Sequence, residues 1–186
     1  MSLLSASGHK FHGPKGIGFL YARDNVALAP YIHGGGQESG RRAGTENVAG
    51  IVGIGLAAKI ADERLQAGIE EELFVRDYFI NSVLSQIPGS SLNGSALNRL
   101  PNNTSFTFNG IAASSAVNLL SDVGVYCSAG SACNNGDPAP SHVLTAIGKT
   151  PEEAQSTLRF TISEETTKEE IDYAVHMIKT IVDMLK

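Results

Sequence analysis

The sequence contains no tryptophan, only two cysteines, and aromatic side chains at 6% of its 186 positions. Both cysteines, Cys127 and Cys133, fall in one short segment, and their neighbours favour a reduced compartment over a disulfide framework. No apolar run approaches the roughly 18 residues that a membrane-spanning helix requires. The first residues also lack the basic and apolar regions of a secretory signal. We therefore expect a cytoplasmic protein that does not interact with a membrane.

Acidic residues outnumber basic ones overall, and the net charge is −5, but the two signs are unevenly distributed. Residues 1–45 contain five lysines and arginines and only two acidic residues, whereas the remainder contains nine basic and seventeen acidic residues. A basic, glycine-rich first quarter suits a small anionic ligand. It does not suit nucleic acid, because that partner calls for a strong basic patch.

Hydrophobic spacing predicts two long helices in the middle of the chain. Apolar residues recur at helical intervals over 46–65, and Thr45 is the predicted N-cap. A second helix is predicted over 69–87, ended by Pro88 and the glycine after it.

After Gly94 the chain alternates short β-prone segments with short helices. Thr150 and Glu153 form a predicted capping box, and the final helix is expected to begin after Thr166 or Thr167. This pattern predicts antiparallel strands covered by helices. The predicted strands are 104–108, 124–127 and 158–163.

The segment Ser7-Gly8-His9-Lys10 places a lysine after a histidine among glycines and small residues. Exposed N–H groups in such turns, with Ser7 and His9, form a concavity that suits a phosphate. A lysine held there can form a Schiff base with an aldehyde cofactor. The same pattern also fits a solvated glycine loop with an ordinary surface lysine.

A second segment of small residues, from Cys127 to Gly136, contains both cysteines. A cysteine in such a loop can act as a nucleophile if its pKa is lowered or a base lies near. The alternative is an inert thiol that merely packs, and Cys127, at a predicted strand end, fits that description better than Cys133.

Together these two segments resemble the cysteine desulfurases of the class V aminotransferase family, in which both motifs occur in this order. The match continues through residues 33–38, 42–45, 140–144 and 158–160. Because family members are about twice as long, the chain is similar to their C-terminal half. The resemblance implies an α/β fold, the C-terminal part of a pyridoxal phosphate (PLP)-dependent transferase. Residues 1–68 would end the large PLP domain, and 69–186 would form a small α+β domain with an antiparallel sheet covered by helices.

The resemblance also implies roles for the cofactor-binding residues. Lys10 would hold PLP and move the substrate's α-proton, while Ser7 and His9 would bind the phosphate. Thr45 would reach a phosphate that belongs to the partner subunit, which implies a homodimer. No metal is implied.

The implied reaction converts L-cysteine to L-alanine. Cys133 would take the sulfur as a persulfide, and Arg159 would bind the substrate carboxylate with its bidentate fork. The sulfur would pass to an iron–sulfur scaffold or a tRNA-thiolation protein. A chain without the N-terminal half is expected to be inactive. Two alternatives stay open: a selenocysteine lyase or other PLP lyase of the same family, and a non-catalytic domain that docks sulfur carriers.

Overall fold

The computed structural model describes residues 1–130 and 140–186. The chain divides into two compact units, Met1–Gln66 and Ala67–Lys186. The assignment of residues 1–68 and 69–186 to a large and a small domain stays a prediction.

The first unit begins with a β-hairpin. Strand β1 (Leu3–Ser7) pairs antiparallel with β2 (Gly18–Ala22), so that Ser7 lies opposite Gly18. The connection starts with a 3-10 turn over Gly8–Phe11. A second 3-10 turn covers Glu38–Gly40, before the first α-helix begins.

Helix α1 runs without interruption over 39 residues, Val48–Gln86. The prediction of two separate helices is therefore wrong. The segment between them contains Gly68 but no proline, and one glycine costs a helix only about 1 kcal/mol. The helix ends just before Ile87, the residue that precedes Pro88. Among the described residues, neither α1 nor any other helix is long and apolar enough to cross a membrane.

Asn47, rather than Thr45, caps the start of α1. The Asn47 Oδ1 atom accepts a hydrogen bond of 3.1 Å from the backbone N–H of Gly50, three residues on. The predicted Thr45 cap is wrong, because two further residues follow Thr45 before the helix begins.

The second unit contains an antiparallel sheet, as predicted for this part of the chain. Its strands are β3 (Ser90–Leu92), β4 (Asn103–Phe108), β5 (Ser128–Ala129) and β6 (Thr157–Thr161), and they lie side by side in the order β3-β4-β6-β5. The strand predicted at 124–127 is wrong. Val125 instead donates its N–H to the carbonyl of Leu120 at 2.9 Å and closes the end of the preceding helix.

Helices of the second unit pack with its sheet around an aromatic core. Phe79 of α1 packs edge-to-face on Phe106 and Phe160, with ring centroids 5.5 and 5.3 Å apart. The predicted capping box at Thr150 is confirmed, and the final helix begins after Thr167, one of its two predicted starts, with a capping box of its own. The remaining helices are α2 (Ala113–Asp122), α3 (His142–Ala146), α4 (Pro151–Gln155) and α5 (Lys168–Leu185).

Candidate functional site

The turn that carries Lys10 is closed by backbone hydrogen bonds at both of its ends. The Gly8 N–H donates to the carbonyl of Ile17, and the Gly13 N–H donates to the carbonyl of Gly8, each at 2.9 Å. His12, which follows the 3-10 turn, is in the left-handed region with φ 65°. The turn is therefore defined by backbone geometry, and it presents Lys10 as an exposed side chain.

Two glycines allow this turn to fold tightly and to pack against α1. A Cβ atom on Gly13 would lie 2.9 Å from the carbonyl oxygen of Gly8, closer than any real contact. A Cβ on Gly53 of α1 would lie 2.6 Å from the Pro14 ring. Only glycine permits such short distances, so Gly13 and Gly53 determine the position of Lys10 relative to the start of α1.

Ser7, His9 and Lys10 come together in the first unit, within four consecutive residues at the end of β1. All three side chains are exposed, and no hydrogen bond or ion pair to another described residue engages them. Thr45 lies in the same unit, exposed, just before the start of α1. The turn thus offers an amine, a hydroxyl and an imidazole that remain available to a ligand.

Arg159 lies in the second unit, at the middle of β6. Its neighbours Leu158 and Phe160 are 0% and 5% exposed and point into the core, so strand alternation places Arg159 on the opposite face. The side chain is half-buried, and within residues 1–130 and 140–186 no acceptor pairs with its guanidinium. This is the donor group that a substrate carboxylate would need.

The two cysteines differ in what the structure says about them. Cys133 lies outside the described residues. Cys127 is half-buried beside the hydrophobic core, and this burial raises the pKa of its thiol to about 11. It is therefore protonated and weakly nucleophilic at neutral pH.

Two features of the site region did not emerge from the sequence, the Asn47 cap and a buried polar network beside Arg159. Asn47 replaces Thr45 as the helix cap, which leaves the Thr45 hydroxyl without a capping role. A buried hydrogen-bond network of Asn93, Thr107 and Thr157 lies on the sheet face that carries Arg159. Among the described residues, no cluster of three or more His, Cys, Asp or Glu side chains can hold a metal ion.

Comparison with known proteins places these residues in one family. Residues 1–174 match the family model of class-V aminotransferases. The cysteine desulfurase IscS of Dictyoglomus turgidum is 45% identical over all 186 residues, and that of Methanosarcina thermophila is 44% identical. The chain covers 47% and 46% of these two proteins. It thus spans about half the length of the curated relatives it matches.

Solved structures agree with this match. A NifS-like protein superimposes with a TM-score of 0.88 at 37% identity, covering 100% of this chain and 47% of its own. The NifS-like protein of Rickettsia africae superimposes with a TM-score of 0.87 at 28% identity, covering 98% of this chain and 48% of its own. SspA, solved in complex with cysteine, is 36% identical with a TM-score of 0.65, covering 90% of this chain and 45% of its own. The predicted fold, the C-terminal part of a PLP-dependent transferase, is confirmed.

Proposed function

The chain belongs to the class-V aminotransferase family, and from that premise we propose that it forms the C-terminal half of a PLP-dependent cysteine desulfurase. The observation that carries the proposal is the Lys10 turn, a backbone-defined loop in which a lysine follows Ser7 and His9 and precedes the required Gly13. The identity of 45% to a desulfurase over the whole chain supports it.

The residues of the turn fit part of the PLP molecule. The Lys10 amine suits the aldehyde, and Ser7 and His9 supply donors for the phosphate. Their exposure also means that this chain alone does not enclose the group, so further walls of the pocket must come from elsewhere. When bound, the cofactor would supply an electron sink for bonds at the substrate's α-carbon.

This chain supplies a residue for each step of the proposed reaction. Lys10 would hold the cofactor and move the proton at the substrate's α-carbon. Arg159 would bind the carboxylate of L-cysteine. The Cys133 thiolate would attack the sulfur of the substrate, and the Cβ–Sγ bond would break with its electron pair staying on the carbon side. The Cβ atom would then take up a proton in place of the sulfur. The products are L-alanine and a persulfide on Cys133.

The wider setting of the reaction is part of the same proposal. The persulfide would pass to an iron–sulfur scaffold or a tRNA-thiolation protein in the cytoplasm. Thr45, with its hydroxyl outside the helix cap, is the proposed contact to a phosphate bound by the partner subunit of a homodimer. Cysteine is favoured over selenocysteine as the substrate because a similar protein, SspA, was solved with cysteine.

Replacing Arg159 by lysine tests the substrate site. In the full-length protein, Arg159→Lys is expected to raise the KM for L-cysteine about ten- to hundredfold, because a charge-assisted hydrogen bond contributes about 1.5–3 kcal/mol and lysine lacks the bidentate fork. Steady-state kinetics would measure the change. Arg23→Lys, a matched change at an exposed residue of the first unit, should leave KM unaltered. An unaltered KM in Arg159→Lys would place Arg159 outside the site.

The 186-residue chain by itself is expected to show no desulfurase activity and weak PLP affinity, because its cofactor-binding side chains are exposed. It should also self-associate through apolar side chains such as Leu20, Val52 and Leu56, which are 55%, 66% and 57% exposed. Analytical ultracentrifugation would detect the association, and a Val52→Lys/Leu56→Lys double variant should reduce it. Robust turnover by the isolated chain would contradict the proposal that it is half of an enzyme.

A further inference from the structure

The loop over residues 31–42 precedes Thr45 in the first unit, and Gln37 is the only residue in this loop that is partly buried. Two of its residues, Glu38 and Ser39, have φ angles of 51° and 56°, in the left-handed region that residues other than glycine rarely adopt. Such a backbone persists only where the surrounding contacts determine it. The loop therefore has a defined conformation that contacts around it must hold.

The peptide unit that follows this loop, between Ala43 and Gly44, has both of its polar groups bonded to side chains. Its N–H, that of Gly44, donates to Gln37 Oε1 at 3.1 Å. Its carbonyl, that of Ala43, accepts a hydrogen bond of 2.7 Å from Arg42 Nη1. These two bonds fix the orientation of the peptide unit whose nitrogen belongs to Gly44, the residue directly before Thr45.

Gly44 is the residue at which the backbone before Thr45 needs such a restraint. Its φ is 107°, a conformation that favours glycine. Because glycine has no Cβ atom, an unrestrained Gly44 would sample many orientations and carry the next residue with it. The bond to Gln37 removes this freedom. After Thr45, the Asn47 side chain caps α1 and fixes the chain from the other side.

The absence of a side chain at position 35 makes room for Gln37. A Cβ atom on Gly35 would lie 2.6 Å from Gln37 Oε1, the same atom that accepts the hydrogen bond from Gly44. A Cβ atom on the next residue, Gly36, would meet no atom within 4 Å. Neither Gly35 nor Gly36 has a φ in the left-handed region. The two neighbouring glycines therefore differ in whether an added methyl group would displace the Gln37 side chain.

We propose that Gln37 is a positioning residue for Thr45, holding the Gly44 N–H so that the Thr45 hydroxyl is presented to a phosphate group. The inference rests on the proposed function, in which Thr45 contacts a phosphate bound by the partner subunit. Among the described residues, no hydrogen bond engages the Thr45 hydroxyl, which can donate to a phosphate oxygen. Fixing this hydroxyl in advance reduces the ordering cost of binding. Loss of the Gln37 bond should therefore weaken recognition of the phosphate and not of the aldehyde at Lys10.

Gln37→Met, made in the full-length protein, tests the proposal, because methionine resembles glutamine in length but has only a weak acceptor. The cofactor-free protein would be titrated with PLP and with pyridoxal, which has the same aldehyde but no phosphate. The Kd for PLP should rise about three- to tenfold, as expected for one hydrogen bond, and the Kd for pyridoxal should change by less than about twofold. Without any ligand, the Gly44 amide hydrogen should exchange faster in this variant.

Gly35→Ala and Gly36→Ala are a matched pair that leaves Gln37 itself in place. Gly35→Ala should raise the Kd for PLP and not for pyridoxal, because its methyl group would displace the Gln37 oxygen, whereas Gly36→Ala should change neither. Gln66→Met makes the same substitution as Gln37→Met at an exposed residue of α1 and should also change neither. Equal effects in the two glycine variants, or an equal rise for PLP and pyridoxal in Gln37→Met, would overturn the proposal.

A double-mutant cycle with Thr45→Val, which removes the hydroxyl and keeps the shape, separates this inference from the proposed function. Thr45→Val should raise the Kd for PLP, and adding Gln37→Met should then raise it little further. A full additional rise would mean that Gln37 acts independently of Thr45, and the inference would be wrong. If Thr45→Val weakens PLP binding and Gln37→Met does not, only the positioning role is wrong. If neither does, both roles are wrong. Should Gln37→Met fail to fold, Gly35→Ala decides the question alone.

Discussion

Cys133→Ser in the full-length protein is expected to abolish sulfur release from L-cysteine while leaving the binding of PLP and substrate intact. A serine hydroxyl is a far poorer nucleophile than a thiol at neutral pH, so the substrate's sulfur would have no acceptor on the protein. Sulfide released in the presence of a reductant, and L-alanine formed, would both be measured. Because the substitution is expected to stop the transfer of sulfur and not the binding of the cofactor, the absorbance of bound PLP should be unchanged.

Cys127→Ser is the control for that experiment. Burial raises the pKa of the Cys127 thiol to about 11, so this thiol stays protonated throughout the neutral range. We expect turnover close to that of the unaltered protein, with a small loss of stability because a polar hydroxyl replaces a half-buried thiol. Loss of activity in Cys127→Ser with activity retained in Cys133→Ser would reverse the assignment.

Lys10→Ala is expected to abolish turnover as well, and in addition to remove the visible absorbance of lysine-bound PLP. No other group in the Gly8–Phe11 turn can bond to the aldehyde and also move a proton at the α-carbon. An absorbance spectrum of the purified variant after addition of PLP is the measurement.

Lys15→Ala gives the matched comparison, because Lys15 is also exposed and lies five residues away in the same hairpin connection. Its spectrum and turnover should be nearly those of the unaltered protein. If the absorbance band persisted in Lys10→Ala and disappeared in Lys15→Ala, Lys15 rather than Lys10 would bind the cofactor, and the assignment to Lys10 would be wrong.

The elements that the sequence predicts well are those set by local contacts. The capping box at Thr150 joins residues three apart and forms as expected, and the last helix begins after Thr167, one of the two predicted starts. The helix boundaries in the middle of the chain cannot be predicted from local contacts in the same way. The sequence predicts two helices, 46–65 and 69–87, but the glycine between them, Gly68, costs too little to interrupt a helix, and α1 continues through it.

The candidate site shows the same division. The Ser7-Gly8-His9-Lys10 motif and the strand position of Arg159 are visible in the sequence, because each depends on a few consecutive residues. The network beside Arg159 is not, since Asn93 and Thr157 are 64 residues apart and meet only through the pairing of β3 with β4 and of β4 with β6. No local pattern specifies such a register.

Mass spectrometry of the full-length protein after incubation with L-cysteine tests the central claim most directly. The account predicts one additional sulfur atom on the peptide that contains Cys133, present before any acceptor is added and lost on reduction. It also predicts none on the peptide that contains Cys127, whose thiol is kept protonated by burial. An added sulfur on Cys127, or on neither cysteine, would contradict the proposal that this chain carries the sulfur-accepting thiol of a cysteine desulfurase.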